Sequence, residues 1–325
     1  MHAPLTGPIF AIYYPVFAAI AAPANLIAIV ILSRRRCGLS SCITRYLLSM
    51  AVTDLLVVII AVILHWIRGI YFPVSFLTTT PGCRASAALN YAARDSSVWL
   101  TVAFTFDRCV AICCQKLKVK YCTEKTAVVV IATVCSLSCM KHIPTYFIYE
   151  PVYVIDNVPW FCSIKSSFYA SPGWAAFDWM DRILTPCVPF ILILLLNTLT
   201  IRHVLVASKA RKRLQPNCNG AIQRDPEMEN RKKSMILLLS ISGSFVALWM
   251  AYVINMFYVR FTKGSYFEAS NITDPRFILQ ESGYMLQLFS CCTNTCIYAA
   301  TQSKFRKELK NAVKYPFKLI CKFWK

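Results

Sequence analysis

The sequence predicts an all-α membrane protein: a seven-transmembrane helix bundle closed by a short amphipathic C-terminal helix. Three observations carry that expectation. Of the 325 residues, 57% are hydrophobic and only 15% are charged, a balance suited to a lipid solvent rather than to a watery surface. The apolar residues gather into seven stretches, each near the roughly 20 helical residues that cross a hydrocarbon core of about 30 Å. The basic residues gather between alternate stretches: four Lys and Arg in Ser33–Arg45, five in Arg108–Lys125, nine in Arg202–Lys233 and eight in Gln302–Lys325, together 26 of 35.

The first stretch is Ile9–Ser33. Met1–Pro8 before it is short and has no basic region, so this stretch is expected to act as its own insertion signal. The second is Tyr46–Trp66, with Asp54 near its middle, and the third is Ala85–Cys113. Cys83 precedes the third and the acid-base pair Asp107-Arg108 closes it, so these mark opposite membrane faces. The fourth, Thr126–Phe147, the fifth, Ile183–Ala207, the sixth, Met235–Val259, and the seventh, Phe277–Thr301, follow the same rule. None shows the strict alternation of a barrel strand, and lipid cannot satisfy an open backbone, so each is read as a helix. After Ser303, Lys304–Lys325 alternates lysine with Phe305, Leu309, Phe317, Ile320 and Phe323, which suits a helix lying on the membrane.

A net charge of +20 invites a nucleic-acid reading, but its distribution excludes it. The segment Tyr149–Arg182 carries Glu150, Asp156, Asp178 and Asp181 against Lys165 and Arg182, while the basic loops alternate with it. The positive-inside rule then places the basic loops and the C-terminus in the cytoplasm, and an odd number of crossings leaves the N-terminus outside. Lys116, Lys118, Lys120, Arg211, Lys212 and Arg213 either attract anionic lipid, form part of a protein contact, or do both. Asn271-Ile272-Thr273, the one glycosylation sequon, falls on the outer side.

Sixteen cysteines do not make a disulfide scaffold here, because most lie within stretches or on the reducing side. Cys83 and Cys162 are the two in outer regions and are expected to pair. Cys37, Cys42, Cys122 and Cys218 are expected to be free thiols, and Cys321, in the basic tail, is a palmitoylation candidate. No Gly-rich phosphate loop, His-Glu-x-x-His or metal-spaced Cys/His set occurs, so no enzyme is expected. A transporter or channel is the competing class. It would show internal repeats or helices broken near the midplane, and neither stands out.

Several residues, in order along the chain, resemble the rhodopsin-like G-protein-coupled receptors. Asn25 in Pro23-Ala24-Asn25-Leu26 and Asp54 in Met50-Ala51-Val52-Thr53-Asp54-Leu55-Leu56 resemble the marks of the first and second helices. Cys83 and Asp107-Arg108-Cys109 fit the third, Pro189 the fifth, Trp249 in Phe245-Val246-Ala247-Leu248-Trp249 the sixth, and Asn294-Thr295-Cys296-Ile297-Tyr298 the seventh. The Pro-Ala-Asn start, the Asp107-Arg108 setting and the Leu248-Trp249 run are similar to the orphan G-protein-coupled receptor 139-like group. The resemblance divides the chain into a receptor domain, residues 1–301, and a cytoplasmic membrane-surface helix and tail, residues 302–325. It implies a plasma-membrane receptor for an extracellular small molecule or peptide, amino-acid-like in character, that activates a heterotrimeric G protein.

The resemblance also implies site residues. The expected ligand set is Asn90, Arg94, Asp95, Trp249, Tyr252, Asn255, Met256, Tyr284 and Gln287. Asn90 and Arg94, four apart, share a helix face, whereas Arg94 and Asp95 point about 100° apart and are not expected to face one spot. Arg94 either forks a ligand carboxylate or closes an internal salt bridge to Glu281 or Asp95. A charge in the hydrocarbon centre costs at least about 2.5–3.5 kcal/mol, so each invites a role. Asp54 with Ser97, Ser290 and Asn294 either holds a sodium ion, the one cofactor implied, or forms a hydrogen-bonded network without an ion. Asp107, Arg108, Asn294 and Tyr298 form the expected G-protein switch.

Departures from the pattern bear on how such a switch would move. Cys109 replaces a tyrosine, Ala251 and Thr295 replace helix prolines, Asn197 stands where a fifth-helix tyrosine is common, and the fourth stretch has no tryptophan. Without two prolines, the sixth and seventh helices should run straight unless Gly243 or Gly283 loosens them. A receptor relative that no longer signals is the alternative these departures raise.

Overall fold

A computed structural model describes residues 7–72, 74–214, 226–262 and 274–323. The helices are α1 (Gly7–Ser33), α2 (Ser41–Tyr71), α3 (Thr80–Cys113), a short α4 (Gln115–Tyr121) and α5 (Glu124–Lys141). After the outer segment come α6 (Ser166–Ala170), α7 (Pro172–Arg182), α8 (Val188–Leu214), α9 (Pro226–Phe261), α10 (Pro275–Thr301) and α11 (Ser303–Phe323). Side-chain caps set several starts. Ser40 Oγ accepts from the Ile43 amide before α2, Thr123 Oγ1 from Thr126 before α5, and Asp274 Oδ1 from Arg276 before α10.

Among the described residues, six segments are long and apolar enough to cross a membrane: Pro8–Ser33, Ser41–Tyr71, Thr80–Cys113, Glu124–Phe147, Pro172–Lys209 and Lys232–Val259. The seventh long helix, α10, has the same 27 residues as α1 but carries Arg276, Gln280, Glu281, Gln287 and Asn294, which lower its hydropathy. It nevertheless packs along α1, α2 and α9. Burial orders the bundle: 67% of the most apolar window of α3 is buried, against 17% for Glu124–Phe147, so α3 is central and α5 peripheral. Large apolar side chains such as Ile12, Ile20, Val129, Ile191 and Ile254 face outward, the inverse of a water-soluble surface.

Three differences from the sequence expectations concern element limits. Helix α3 begins at Thr80, with Pro81 in its first turn, so Cys83 is helical rather than ahead of the helix. The fifth apolar stretch is preceded by α7, which places Asp178, Asp181 and Arg182 on a helix rather than in a loop. Helix α7 is polar on one side, which hides it from a hydropathy reading. Between α7 and α8 the chain widens over Ile183–Cys187, and Thr185 leaves helical geometry at φ −150°, ψ 107°.

The outer segment also folds into strands. Strands β1 (Tyr149–Glu150) and β4 (Ser163–Ile164) pair antiparallel around β2 (Tyr153–Ile155) and β3 (Val158–Trp160). Asp156 and Asn157, at φ 49° and 62°, make the tight connection, since Asn and Asp tolerate the left-handed region. The hairpin is stitched to the start of α3: the Phe161 amide donates to Thr78 O at 2.7 Å, and Thr80 Oγ1 donates to Phe161 O at 2.7 Å. The expected disulfide joins Cys83 and Cys162 there, across 79 residues of sequence. A loop of that size makes the bond worth about 4–5 kcal/mol in the chain-entropy model. Cys37, Cys42 and Cys122 are free thiols, while Cys218 lies outside the described residues.

Helices α9 and α10 each run unbroken past Ala251 and Thr295, as the missing prolines predict. The glycines do not supply looseness. A Cβ on Gly283 would lie 3.0 Å from Tyr252 N and 3.1 Å from its Cα, so this glycine lets the α9 and α10 backbones touch. Gly243 faces open space.

Candidate functional site

The half of the bundle that carries the Cys83–Cys162 disulfide, the one expected to be outer, contains a buried polar cluster built from three helices. From α3, Asp95 Oδ1 accepts hydrogen bonds from Lys141 Nζ at 3.2 Å and from Thr185 Oγ1. Lys141, the last residue of α5, also pairs with Asp181 of α7 at 2.8 Å. His142 Nε2 lies 3.7 Å from Asp95 and 3.8 Å from Asp181, with its ring stacked on Tyr91. One lysine thus serves two carboxylates.

Arg94 supplies the opposite charge on the other side of the same space. Its Nη1 donates to Gln287 Oε1 at 3.4 Å, its guanidinium lies 5.9 Å from the Tyr284 ring centre, and its buried Nε has no partner. Among the described residues it forms no ion pair. Arg94, Asp95, His142, Asp181, Trp249, Tyr252 and Gln287 surround a small cavity of about 30 Å³. A larger one of about 100 Å³ lies against it, walled by Tyr91, Tyr149, Phe168, Phe177, Asp178, Asp181, Arg182, Tyr252 and Tyr284. The hairpin contributes Tyr149 and Ile164 to that wall, and α7 contributes its polar side.

Hydrogen bonds lead from this cavity toward the middle of the bundle. Trp249 Nε1 donates to Ser290 Oγ at 3.1 Å, and Ser290 Oγ donates to the Gln287 carbonyl at 2.6 Å. Below Trp249 and Ser290, Asp54 Oδ1 accepts from Ser97 Oγ at 2.6 Å and Oδ2 accepts from Asn294 Nδ2 at 2.8 Å. These residues enclose a void of about 10 Å³, room for one water-sized species. Asn25 Nδ2 donates to the Cys291 carbonyl at 2.8 Å, and Thr295 Oγ1 to the Ala24 carbonyl at 3.3 Å, which joins α1 to α10 beside it.

At the far end of α3, Asp107 and Arg108 are both buried. Arg108 donates through Nε to Asp107 Oδ2 at 3.0 Å and through Nη2 to the same oxygen. Two thiols close around this pair: Cys42 Sγ donates to Asp107 Oδ1 at 3.1 Å, and Cys122 Sγ to the Asp107 carbonyl at 3.5 Å. Burial, and then the Asp107 charge, push the Cys122 thiol up to about 11, so it stays protonated and able to donate. Near it, Glu124 takes Arg35 at 2.5 Å and Arg45 at 2.7 Å, tying the connections between helices.

The family model described as 7 transmembrane receptor (rhodopsin family) matches residues 24–298 of this chain. The protein belongs to that family. It is a multi-pass membrane receptor of the G-protein-coupled type, carrying the Cys83–Cys162 disulfide.

The receptor brings most of the expected ligand residues together. Arg94, Asp95, Trp249, Tyr252 and Gln287 line the small cavity, and Tyr252 and Tyr284 the larger one. Asn90 is near them in sequence, with its Oδ1 buried and unpartnered. Asn255 and Met256 are buried but line neither cavity. Two expectations are corrected. Arg94 and Asp95 do border one space, lining the same small cavity. Asp95 takes Lys141 instead of Arg94, and Arg94 does not bridge to Glu281 either. Glu281 accepts from Gln280 Nε2 at 3.4 Å and keeps Oε2 buried without a partner.

Around Asp54, Ser97 and Asn294 are direct partners, although Asn294 presents its amide nitrogen where an oxygen ligand was expected. Ser290 borders the same void but bonds to Trp249 and Gln287. Tyr298 is buried against Phe305, its hydroxyl unpartnered. Asn271 lies outside the described residues, and α11 extends through Cys321.

Sequence reasoning missed Lys141, His142, Asp181 and Thr185, and with them the aromatic wall formed by Tyr91, Phe168 and Phe177. A signal for Lys141 existed. It is a full charge inside the fourth apolar stretch, and the cost that singled out Arg94 applies to it equally.

Proposed function

We propose that this receptor is a member of the orphan G-protein-coupled receptor 139-like group, binds an extracellular amino-acid-like ligand, and activates a heterotrimeric G protein. The observation that carries the ligand class is the division of charge in the outer cavity. Arg94 offers a guanidinium that forms no ion pair among the described residues on one side, and Asp95 and Asp181 share a single lysine on the other. A small molecule or peptide end with both a carboxylate and an ammonium complements this arrangement, and the carboxylate fits the planar fork of an arginine. The aromatic wall of the larger cavity favours an apolar or aromatic side chain. Tyr252, Tyr284, Gln287 and Trp249, with Asn90 beside them, complete the binding set.

The proposed mechanism starts at Arg94. A ligand carboxylate draws the guanidinium away from Gln287, whose carbonyl anchors Ser290 and so the Trp249 indole. Trp249 and Ser290 also border the Asp54 void, so α9 and α10 sense the change together. Asp54, Ser97 and Ser290 would supply oxygens to a sodium ion there, with Asn294 orienting the carboxylate, and the charge so supplied would balance the buried Asp54. Ligand shifts the balance between states only by its different affinity for each. The inner outcome is release of Arg108 from Asp107 toward the G protein, with Asn294 and Tyr298 repacking beside it.

The remaining assignments follow the charge map. Helix α10 is the seventh crossing, residues 1–301 form the receptor domain, and residues 302–325 lie on the cytoplasmic leaflet with Cys321 as a lipid attachment point. The N-terminus and Asn271 face outside, and the basic loops face anionic lipid and the G protein.

The test is nucleotide exchange on purified G proteins by the receptor in lipid bilayers, stimulated by a panel of amino acids and short peptides. The expected result is stimulation by at least one zwitterion, lost about 100-fold or more in potency in Arg94→Ala while surface expression persists. Unchanged potency in that variant overturns the anchor role, and no exchange with any G protein despite measured ligand binding overturns signalling.

A further inference from the structure

Asp107 is held from more than one helix. Its Oδ2 takes Arg108 twice, from the same helix, whereas its Oδ1 accepts from Cys42 of α2 at 3.1 Å. The Cys122 thiol also lies beside Asp107, at 3.5 Å from its backbone carbonyl and close enough to its carboxylate to interact with it. Cys42 is 2% exposed and Asp107 6%, so the contact is buried. The thiol is also firmly placed. It is the second residue of α2, whose start is set by Ser40, through its hydroxyl to the Ile43 amide and its carbonyl to Thr44 Oγ1. One turn further on, Tyr46 packs edge-on against Phe104 of α3, with ring centres 6.4 Å apart.

We propose that Cys42 is a positioning residue of the inner switch, its S–H holding the Asp107 carboxylate in the orientation that retains Arg108. The inference rests on reading Asp107-Arg108 as that switch. Removing the donor takes one hydrogen bond from a buried carboxylate, which penalises the resting state selectively, because release of Arg108 frees Asp107 to turn. A thiol is a weaker donor than a hydroxyl, so the latch can be tuned in both directions from Cys42. Cys42→Ala loosens it, and Cys42→Ser tightens it at nearly unchanged volume.

The first readout is nucleotide exchange without ligand. Cys42→Ala is expected to raise the basal rate roughly three- to tenfold, the population shift that one hydrogen bond gives a two-state element, and Cys42→Ser to lower it. In an Asp107→Asn background, Cys42→Ala should add little, because the acceptor it acts through is altered. A cysteine that merely fills space would move both variants the same way, with or without Asp107. Basal rates unchanged in both variants of a receptor that responds to ligand overturn the proposal, as does an alanine effect undiminished in Asp107→Asn.

A second readout needs no G protein. Amide hydrogen exchange around Asp107, measured on the receptor alone in lipid bilayers, should be faster in Cys42→Ala and slower in Cys42→Ser. Equal protection in the two variants overturns the proposal. Should the receptor stimulate no G protein at all, the exchange assay rejects the signalling reading while the amide measurement still decides the role of Cys42.

Discussion

The outer and inner charged assemblies of this receptor use opposite constructions. The outer one spans three helices: Asp95 on α3, Lys141 at the end of α5 and Asp181 on α7, with Arg94 left over on the far side. The inner one is a nearest-neighbour pair, Asp107-Arg108, on a single helix and capped by two thiols. A cluster between helices resists rearrangement, because moving any helix strands a charge. A pair within one helix can open without separating the helices around it. The bundle therefore combines an outer half braced between helices with an inner acid-base pair that can open within one helix.

The largest way to break this contrast is to unbrace the outer half. Cys162→Ser removes the disulfide that pins the hairpin to α3, about 4–5 kcal/mol by loop entropy, and should abolish surface expression. Normal expression with normal ligand response would mean that Phe161, Thr78 and Thr80 hold the hairpin alone. Next in size is Lys141→Met, which leaves the buried Asp95 and the half-buried Asp181 without the lysine they share. A loss of about 3–5 kcal/mol is expected, read as a collapse in folded yield or melting temperature in lipid bilayers. Arg94→Ala should melt much closer to the wild type, since it removes a single hydrogen bond worth about 1 kcal/mol and no ion pair. Equal losses in these two variants would erase the distinction between bracing and reading charges.

A smaller effect separates close packing from looseness in α9 and α10. Gly283→Ala drives a methyl against the Tyr252 backbone and should cost about 1–3 kcal/mol. Gly243→Ala meets no neighbour and should be neutral or stabilise the helix by up to about 1 kcal/mol. Melting temperatures of the two variants decide the matter. The reverse order would restore Gly283 as a hinge.

The inner pair was legible in the sequence because its partners are adjacent, so no knowledge of helix rotation was needed. The long helices were legible from length and hydropathy, whereas the short α4 and α6 and the α7 helix, whose cavity-facing residues lower its apolarity, were not. The Asp54 partners followed from the family resemblance, which supplies the rotation that composition cannot. Lys141 and Asp95, 46 residues apart, meet only because two helices cross with particular faces inward, and hydropathy does not encode those faces. The same ignorance of rotation made Gly283 look like a source of flexibility, although it faces the backbone of α9.

The central claim is that the outer cavity reads two opposite charges at once. It is tested most directly by ligand-stimulated nucleotide exchange with one activating amino acid in four forms: free, N-acetylated, amidated at the carboxyl, and blocked at both ends. The account predicts that either single block weakens potency by about 100-fold or more and that Arg94→Ala becomes indifferent to the carboxyl block. Full potency of the doubly blocked form would contradict it.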